Sequence, residues 1–256
     1  MTLGQSWVCS YGTLTVLGPP HNLLNVKQAT VTLSLVEPAV ERSPERERNA
    51  ARTREAVLDA AEQLFAQRGY EATSLTEVGA AAGVSRGTPG YFFHSKERLY
   101  RAVLERCLER VRAAVRSGRE RALASEEPPE VVLAGAVGEY FDFINANPHF
   151  VRLLEWEALS GGEHLKTLPP HLEAAQEALG AIVTELALDP ADRAEAEQLL
   201  VSMLALSWFH VVHGPTVLRG LGVDARSAQY RDERRRHVVN LVVQGVRGRL
   251  AGKVGE

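Results

Sequence analysis

From Glu45 onward, apolar residues recur every three or four positions, and no stretch after residue 48 alternates with period two. Val57, Leu58, Ala61, Leu64 and Phe65 form one such stripe and predict a first helix over about 49–68, with Gly69 placed for a left-handed stop. Ser74-Leu75-Thr76-Glu77 matches a capping box that opens a second helix, whose inner face is Leu75, Val78 and Ala82. Gly83 and Val84 make a tight turn. Ser85 then fits as N-cap of a short third helix through about Phe92, and Ser95 as N-cap of a fourth running to about Leu123. Longer helices are expected at about 130–146, 148–160, 171–187, 190–213 and 228–250, with Asp189-Pro190 as cap and first residue of the penultimate one. Residues 1–44 differ, with Gly-Pro-Pro, an Asn-rich turn and one alternating stretch at Val31–Leu35. A lone strand is unstable, so residues 1–48 are expected to be a largely disordered extension.

The expected fold is therefore all-α: a three-helix module over 49–95 and a helical body over 96–256. Within the module, Ala82-Gly83-Val84-Ser85 joins two helices in the layout of a helix-turn-helix, whose second helix enters the DNA major groove. Ala80, Ala81 and Ala82 permit close packing behind the reading helix. Ser85, Arg86, Gly87 and Thr88 give it short polar and basic groups at its N-terminus, where free N–H groups favour phosphate. Arg86 is suited to a bidentate contact with guanine, and Thr88 to a base edge or a thymine methyl.

Charge divides along the chain. Residues 49–121 carry 13 Lys/Arg against 9 Asp/Glu (+4), residues 122–224 carry 4 against 16 (−12), and residues 225–256 carry 8 against 3 (+5). A basic module facing a polyanion fits this asymmetry, and so do solvated helix faces that differ in sign. Hydrophobic residues at 45% and charged residues at 24% exclude rods, collagen and wholesale disorder. The longest apolar stretch, Leu199 to Val212, is interrupted by Ser202, Ser207 and His210 and is too short for a bilayer. Two cysteines, Cys9 and Cys107, exclude a disulfide scaffold, and no secretory signal is visible, so a cytoplasmic protein without a membrane partner is expected.

Residues 50–104 carry LDAAEQLFAQRGYEATSLTEV, AAAGVSRGT, YFF and HSKERL in that order. This string resembles the DNA-binding domain of the TetR family of bacterial transcriptional repressors. By that resemblance Thr73, Ser74, Tyr91 and Lys96 are implied phosphate contacts, beside Ser85, Arg86, Gly87 and Thr88, while Phe93 matches the family's core aromatic. Capping alone also accounts for Ser74 and Ser85, and Arg52 and Arg54 are a charged lead-in. The family more often has Leu-Tyr where this chain has Pro89-Gly90. A proline at the fourth helical position removes a main-chain bond, and glycine costs about 1 kcal/mol more.

The acidic half has no motif for catalysis, and no cofactor or metal is implied. His210-x-x-His213 has one-turn metal spacing but lacks further ligands on that turn, so a packed pair is expected. Tyr140, Phe141, Phe150, Leu154, Glu157 and Trp208 are the candidate lining of a small-molecule pocket, against the alternative that aromatic stripes are core. Leu199, Leu200, Met203, Leu204, Leu206, Trp208, Val211 and Val212 surround one helix. The final helix has a wide face of Val238, Val239, Leu241, Val242, Val243, Val246 and Leu250. Two such hairpins make a four-helix dimer interface, as the resemblance also implies. The expected protein is a homodimeric repressor released from a near-palindromic operator by a small-molecule effector. The alternative is an all-α small-molecule binding protein or enzyme whose N-terminal module does not read DNA.

Overall fold

The computed structural model describes residues 8–10, 13–15, 44–189 and 193–253. Two compact units divide the chain, Met1–Arg48 and Asn49–Glu256. The first holds an antiparallel pair, β1 (Val8–Ser10) and β2 (Thr13–Thr15), with Val8 opposite Thr15 and Ser10 opposite Thr13. The rest of the expected extension, with Val31–Leu35, lies outside the described residues. Where residues before 49 are described, they form this hairpin and the start of α1.

The second unit is helical among its described residues. Helix α1 (Pro44–Arg68) begins five residues earlier than expected. It stops where Gly69 turns left-handed (φ +79°) and donates its N–H to the Phe65 carbonyl at 2.8 Å. Helix α2 (Leu75–Ala81) opens with the expected box: the Ser74 hydroxyl accepts the Glu77 N–H at 3.2 Å, and the Glu77 carboxylate accepts the Ser74 N–H at 3.0 Å. Helix α3 (Thr88–Phe93) and the 29-residue α4 (Lys96–Ala124) follow, the latter capped by Ser95. Helices α5 (Pro129–Ala146), α6 (Pro148–Leu159), α7 (Pro169–Glu185), α8 (Arg193–Val212) and α9 (Ala228–Lys253) complete the body, with a π-helical turn at Gly214–Leu218 before α9. Pro190, expected to open α8, lies outside the described residues.

Two apolar clusters organise this unit. The first joins Val57, Leu58, Ala61 and Phe65 of α1, Val78 of α2, Phe93 of α3, Leu99, Tyr100 and Val103 of α4, and Phe150 and Leu153 of α6. Phe65 meets Tyr100 edge-to-face, centroids 4.8 Å apart. The second joins Val137 and Phe141 of α5, Leu179 and Ile182 of α7, Met203 of α8 and Val238, Val242 and Val246 of α9. Helices α4 and α5 cross closely at Gly118, where a Cβ would stand 3.0 Å from the Gly135 carbonyl oxygen and would overlap the Glu139 side chain.

The positive charge of α4 is largely spent inside the protein. Arg106 pairs with Asp59 (2.7 Å) and with Glu62 (2.6 Å), Arg112 and Arg116 both reach Glu177, Arg119 reaches Glu185 at 2.7 Å, and Arg121 pairs with Glu139. Most of the excess base over 49–121 thus fastens α4 to α1, α5 and α7. Of the two readings of the charge asymmetry, paired helix faces account for this part of it.

Candidate nucleic-acid interface

The turn between α2 and α3 is built from the main chain. Ala82 and Val84 donate N–H groups to Val78 (2.9 Å) and Gly79 (3.0 Å), and Gly83 takes the left-handed conformation (φ +68°). The reading helix starts later than expected. Ser85 is not its N-cap: Ser85–Gly87 form a turn, with the Thr88 N–H on the Ser85 carbonyl at 3.0 Å, the Ser85 and Thr88 hydroxyls 2.7 Å apart, and Gly87 at the cap position. Pro89 is therefore the second helical residue, where no intrahelical N–H bond is lost. Its ring is buried against Gly79, whose Cβ would lie 3.5 Å from the Pro89 Cδ and 3.1 Å from the Ser85 carbonyl oxygen. Gly79 and Val78 therefore brace α3 from behind, while Ala80 and Ala81 face solvent, contrary to the sequence expectation. Pro89-Gly90 is accommodated without a broken bond.

Ser85, Arg86 and Gly87 are exposed, Thr88 is half-buried, and among the described residues the Arg86 guanidinium has no hydrogen-bond or ion-pair partner. Tyr91 is 71% exposed, with its ring edge-on to Phe92, and Phe93 is buried in the core beneath. These groups form one outward face. The other implied contacts sit differently. Thr73 is sealed (2% exposed), and its hydroxyl donates to the Gly69 carbonyl at 2.9 Å, so it holds the α1–α2 turn and has no free hydroxyl for phosphate. Ser74 is exposed but engaged by Glu77, whose carboxyl is held below its ordinary value chiefly by the Ser74 hydroxyl and N–H and further by Arg68. Lys96 is half-buried. Its ammonium donates to the Tyr70 carbonyl at 3.1 Å and lies 4.2 Å from the Tyr70 ring centroid, tying α4 to the α1–α2 turn. Arg54 lies 5.0 Å from the Phe93 ring centroid and pairs with Glu55, whereas Arg52 is exposed.

None of the expected pocket residues is in the lining of the cavity described below. Phe141 and Phe150 are core, and Tyr140 and Leu154 pack against it. Trp208 donates its indole N–H to Glu155 at 3.1 Å. Glu157 is 2% exposed and is not a ligand probe: its carboxylate accepts the N–H groups of His164 (3.0 Å) and Leu165 (3.2 Å) and meets the His164 Nδ1 at 3.0 Å. The Tyr100 hydroxyl also bonds to it, and burial with this negative neighbour raises the Tyr100 pKa. Aromatic stripes went to the core because facing helices supply more contact area than a cavity wall.

A cavity of about 1170 Å³ lies elsewhere, between α6, the end of α8, the π-helical turn and the start of α9. Its lining includes His210, which the sequence offered as half of a histidine pair, Trp156 and four arginines. The surplus of base after residue 224 was a signal for Arg226 and Arg231 alone; that Arg152 and Arg219 join them around one hollow required the tertiary structure.

His210 is 2% exposed and stacked on Phe141 at 4.7 Å, and burial, followed by the nearby Arg234, pushes its pKa down to about 4. An unfolded chain takes up that proton near pH 6.5 while the folded one resists it, so stability is full above pH 6.5 and is lost as pH falls towards 4. Urea unfolding at pH 7 and pH 5 should differ by about 2 kcal/mol from this residue. His210→Gln should lose that share of the difference; an unchanged pH dependence would remove His210 as its source.

Residues 57–103 match the family of bacterial regulatory proteins, tetR family, and residues 129–242 match the tetracyclin repressor-like C-terminal domain. Together these matches cover most of the helical unit and more than half of the chain. The chain belongs to the TetR family. As a TetR-family protein it is a DNA-binding transcriptional regulator. The HTH-type transcriptional regulator RutR of Escherichia coli strain K12 is 26% identical to it over 224 residues, which span 84% of this chain and all of RutR. The HTH-type transcriptional repressor NicS of Pseudomonas putida is 23% identical over 79% of this chain and 96% of its own. Among solved structures, the Streptomyces coelicolor regulator SCO4942 superposes with a TM-score of 0.57 at 24% identity, covering 74% of this chain and 96% of that one, and supports the fold. TetR regulators act as dimers on DNA and take small-molecule effectors. Among the described residues of this one, no helix is long and apolar enough to cross a membrane.

Proposed function

We propose that the protein is a cytoplasmic, homodimeric repressor that a small molecule releases from a near-palindromic operator, with residues 49–95 reading DNA and residues 96–256 holding the effector and the dimer contact. The observation that carries the DNA-reading half is the outward face of α3: an unpaired Arg86 beside Ser85, Thr88 and Tyr91, over Pro89 and Phe93 buried behind. Phosphate contacts position such a helix, and Arg86 and Thr88 supply the base contacts. Val201 (58%), Leu204, Phe209 and Leu241 remain exposed on α8 and α9, and an apolar face of this kind needs cover from a second copy. A two-fold pair sets two reading helices about 34 Å apart, one turn of duplex.

The repressor reading is tested by fluorescence anisotropy against DNA from the region upstream of the protein's own gene. Arg86→Ala should weaken specific binding about tenfold or more and relax base preference at one position in each half-site, while binding to random duplex changes little. Equal affinity of wild type for the upstream region and for random DNA at moderate salt would refute the reading. It would favour a small-molecule binding protein instead.

A further inference from the structure

The cavity between α6, the end of α8, the Gly214–Leu218 turn and the start of α9 is rimmed by Arg152, Arg219, Arg226 and Arg231. Among the described residues, none of these four side chains makes an ion pair or hydrogen bond. Several other arginines of the body are matched to acids: Arg112 and Arg116 to Glu177, Arg119 to Glu185, Arg235 to Asp142 and Arg247 to Glu130. Acids are plentiful, since residues 122–224 carry 16 of them against 4 basic groups. Four guanidiniums without an acidic partner thus gather around one hollow, two of them, Arg152 and Arg219, from the acidic stretch. Two carboxylates share the lining, and among the described residues neither forms an ion pair with these arginines. Glu155 accepts the Trp208 indole N–H at 3.1 Å, and Asp224 accepts the Arg226 backbone N–H at 2.9 Å.

The hollow is also made to take more than an inorganic ion. Val151, Trp156, Val211 and Val223 give it apolar wall. His210 and Asn145 stand at its polar end. The Asn145 amide donates to the Phe141 carbonyl at 2.8 Å, which turns its oxygen towards the His210 Nε2, 3.0 Å away. Nε2 then carries the ring proton, and Nδ1 is sealed from solvent, with the Ser207 main chain a further hydrogen-bond neighbour of the ring.

Trp156 connects this hollow to the DNA-binding module. Its ring lies 3.2 Å from where a Gly69 Cβ would stand, and its indole N–H donates to the Ala66 carbonyl at 3.3 Å. Ala66 and Gly69 form the end of α1, directly ahead of Thr73, Ser74 and α2.

We propose that this cavity is the protein's site for an organic anion, a carboxylate or similar acid on an apolar body, and that its occupant acts on the end of α1 through Trp156. The guanidinium rim takes the acid group by charge-assisted bonds, and the apolar wall takes the body. The effector role rests on the repressor reading above; the anion site itself does not.

The test uses the full chain without DNA. 8-Anilinonaphthalene-1-sulfonate, an anion with an apolar body and an N–H, reports the site by fluorescence. Indole-3-acetate, indole-3-ethanol and tryptamine, which share a ring and differ in charge, compete with it. Indole-3-acetate should displace the dye at least tenfold more tightly than the alcohol or the amine. Arg219→Gln/Arg231→Gln should weaken both anions about tenfold at unchanged melting temperature, whereas Arg98→Gln on α4 should not. If that double variant unfolds, Arg152→Gln/Arg226→Gln is used in its place. Equal affinity across the three competitors, or unchanged affinity in the variants, overturns the site.

Hydrogen exchange of the amides over 66–77 should change at least threefold when indole-3-acetate saturates the wild type, and should not change in Trp156→Ala. Unaltered exchange in the wild type overturns the link through Trp156. Neither measurement involves an operator, so failure of the repressor reading would show separately, as absence of specific DNA binding by a protein that still takes the anion.

Discussion

Val201→Arg/Leu241→Arg should yield a folded monomer whose operator affinity is lower by a hundredfold or more. Both side chains are exposed apolar groups on the two helices proposed to pair, and neither belongs to the buried set of its own protomer. A new guanidinium at each position would have to be desolvated without a partner in a dimer but is solvated in a monomer. The large effect on DNA comes from linkage of two weak contacts. Once one α3 is seated, the second binds at an effective concentration set by the dimer, and a monomer forfeits that gain. Light scattering reports the mass and anisotropy the affinity. A variant that remains dimeric would place the interface elsewhere than α8 and α9, and a monomer with undiminished operator affinity would show that one reading helix suffices.

Glu157→Ala should cost about 3–5 kcal/mol of unfolding free energy, measured by urea titration at pH 7. The carboxylate lies on α6 and gathers the His164 and Leu165 N–H groups, the His164 ring and the Tyr100 hydroxyl. Its removal strands buried donors from α4 and from the segment between α6 and α7, each of which then bears its desolvation cost. The same segment carries Leu165 and Leu168 into the first apolar cluster, so packing loosens as well. Glu157→Gln, which keeps an acceptor oxygen, should lose less than half as much. A cost below about 1 kcal/mol for the alanine variant would mean that water replaces the carboxylate freely. With total stability of a domain at about 5–15 kcal/mol, the alanine variant is expected to be marginal at 37 °C.

What the sequence disclosed follows from the range of the forces involved. The caps at Ser74 and Ser95 and the stop at Gly69 are set within four residues, and the structure places all three as expected. The start of α3 was misread because Ser85 has the chemistry of an N-cap, yet its hydroxyl meets Thr88 while the main chain completes a turn. Pro89 held the correction, since proline belongs in a first turn and so placed the helix start just before it. Arg86 and Tyr91 were legible as an exposed polar face because α3 is braced by residues close in sequence. Thr73 and Lys96 were not, because their partners at Gly69 and Tyr70 depend on how the chain closes around the end of α1. Glu157 shared its stripe with Phe150 and Leu153, as the spacing indicated, but what it bonds came from the chain beyond α6 and from α4. The cavity was least legible of all, being assembled from exposed arginines on α6, the segment after α8, and α9, whose proximity no local period records.

The close crossing at Gly118 governs how α4 can move. With no side chain there and the Gly135 carbonyl directly opposite, the far end of α4 is seated on α5 and further secured by Arg121 on Glu139. Any travel of this helix is then rotation about a fulcrum near residue 118. The lever arm from there to Lys96 is roughly 33 Å at 1.5 Å per residue, so a tilt of about 5° carries the near end by about 3 Å. A bulkier residue at 118 would pry the helices apart at the pivot, and a small rotation would no longer be amplified into a change of half-site spacing.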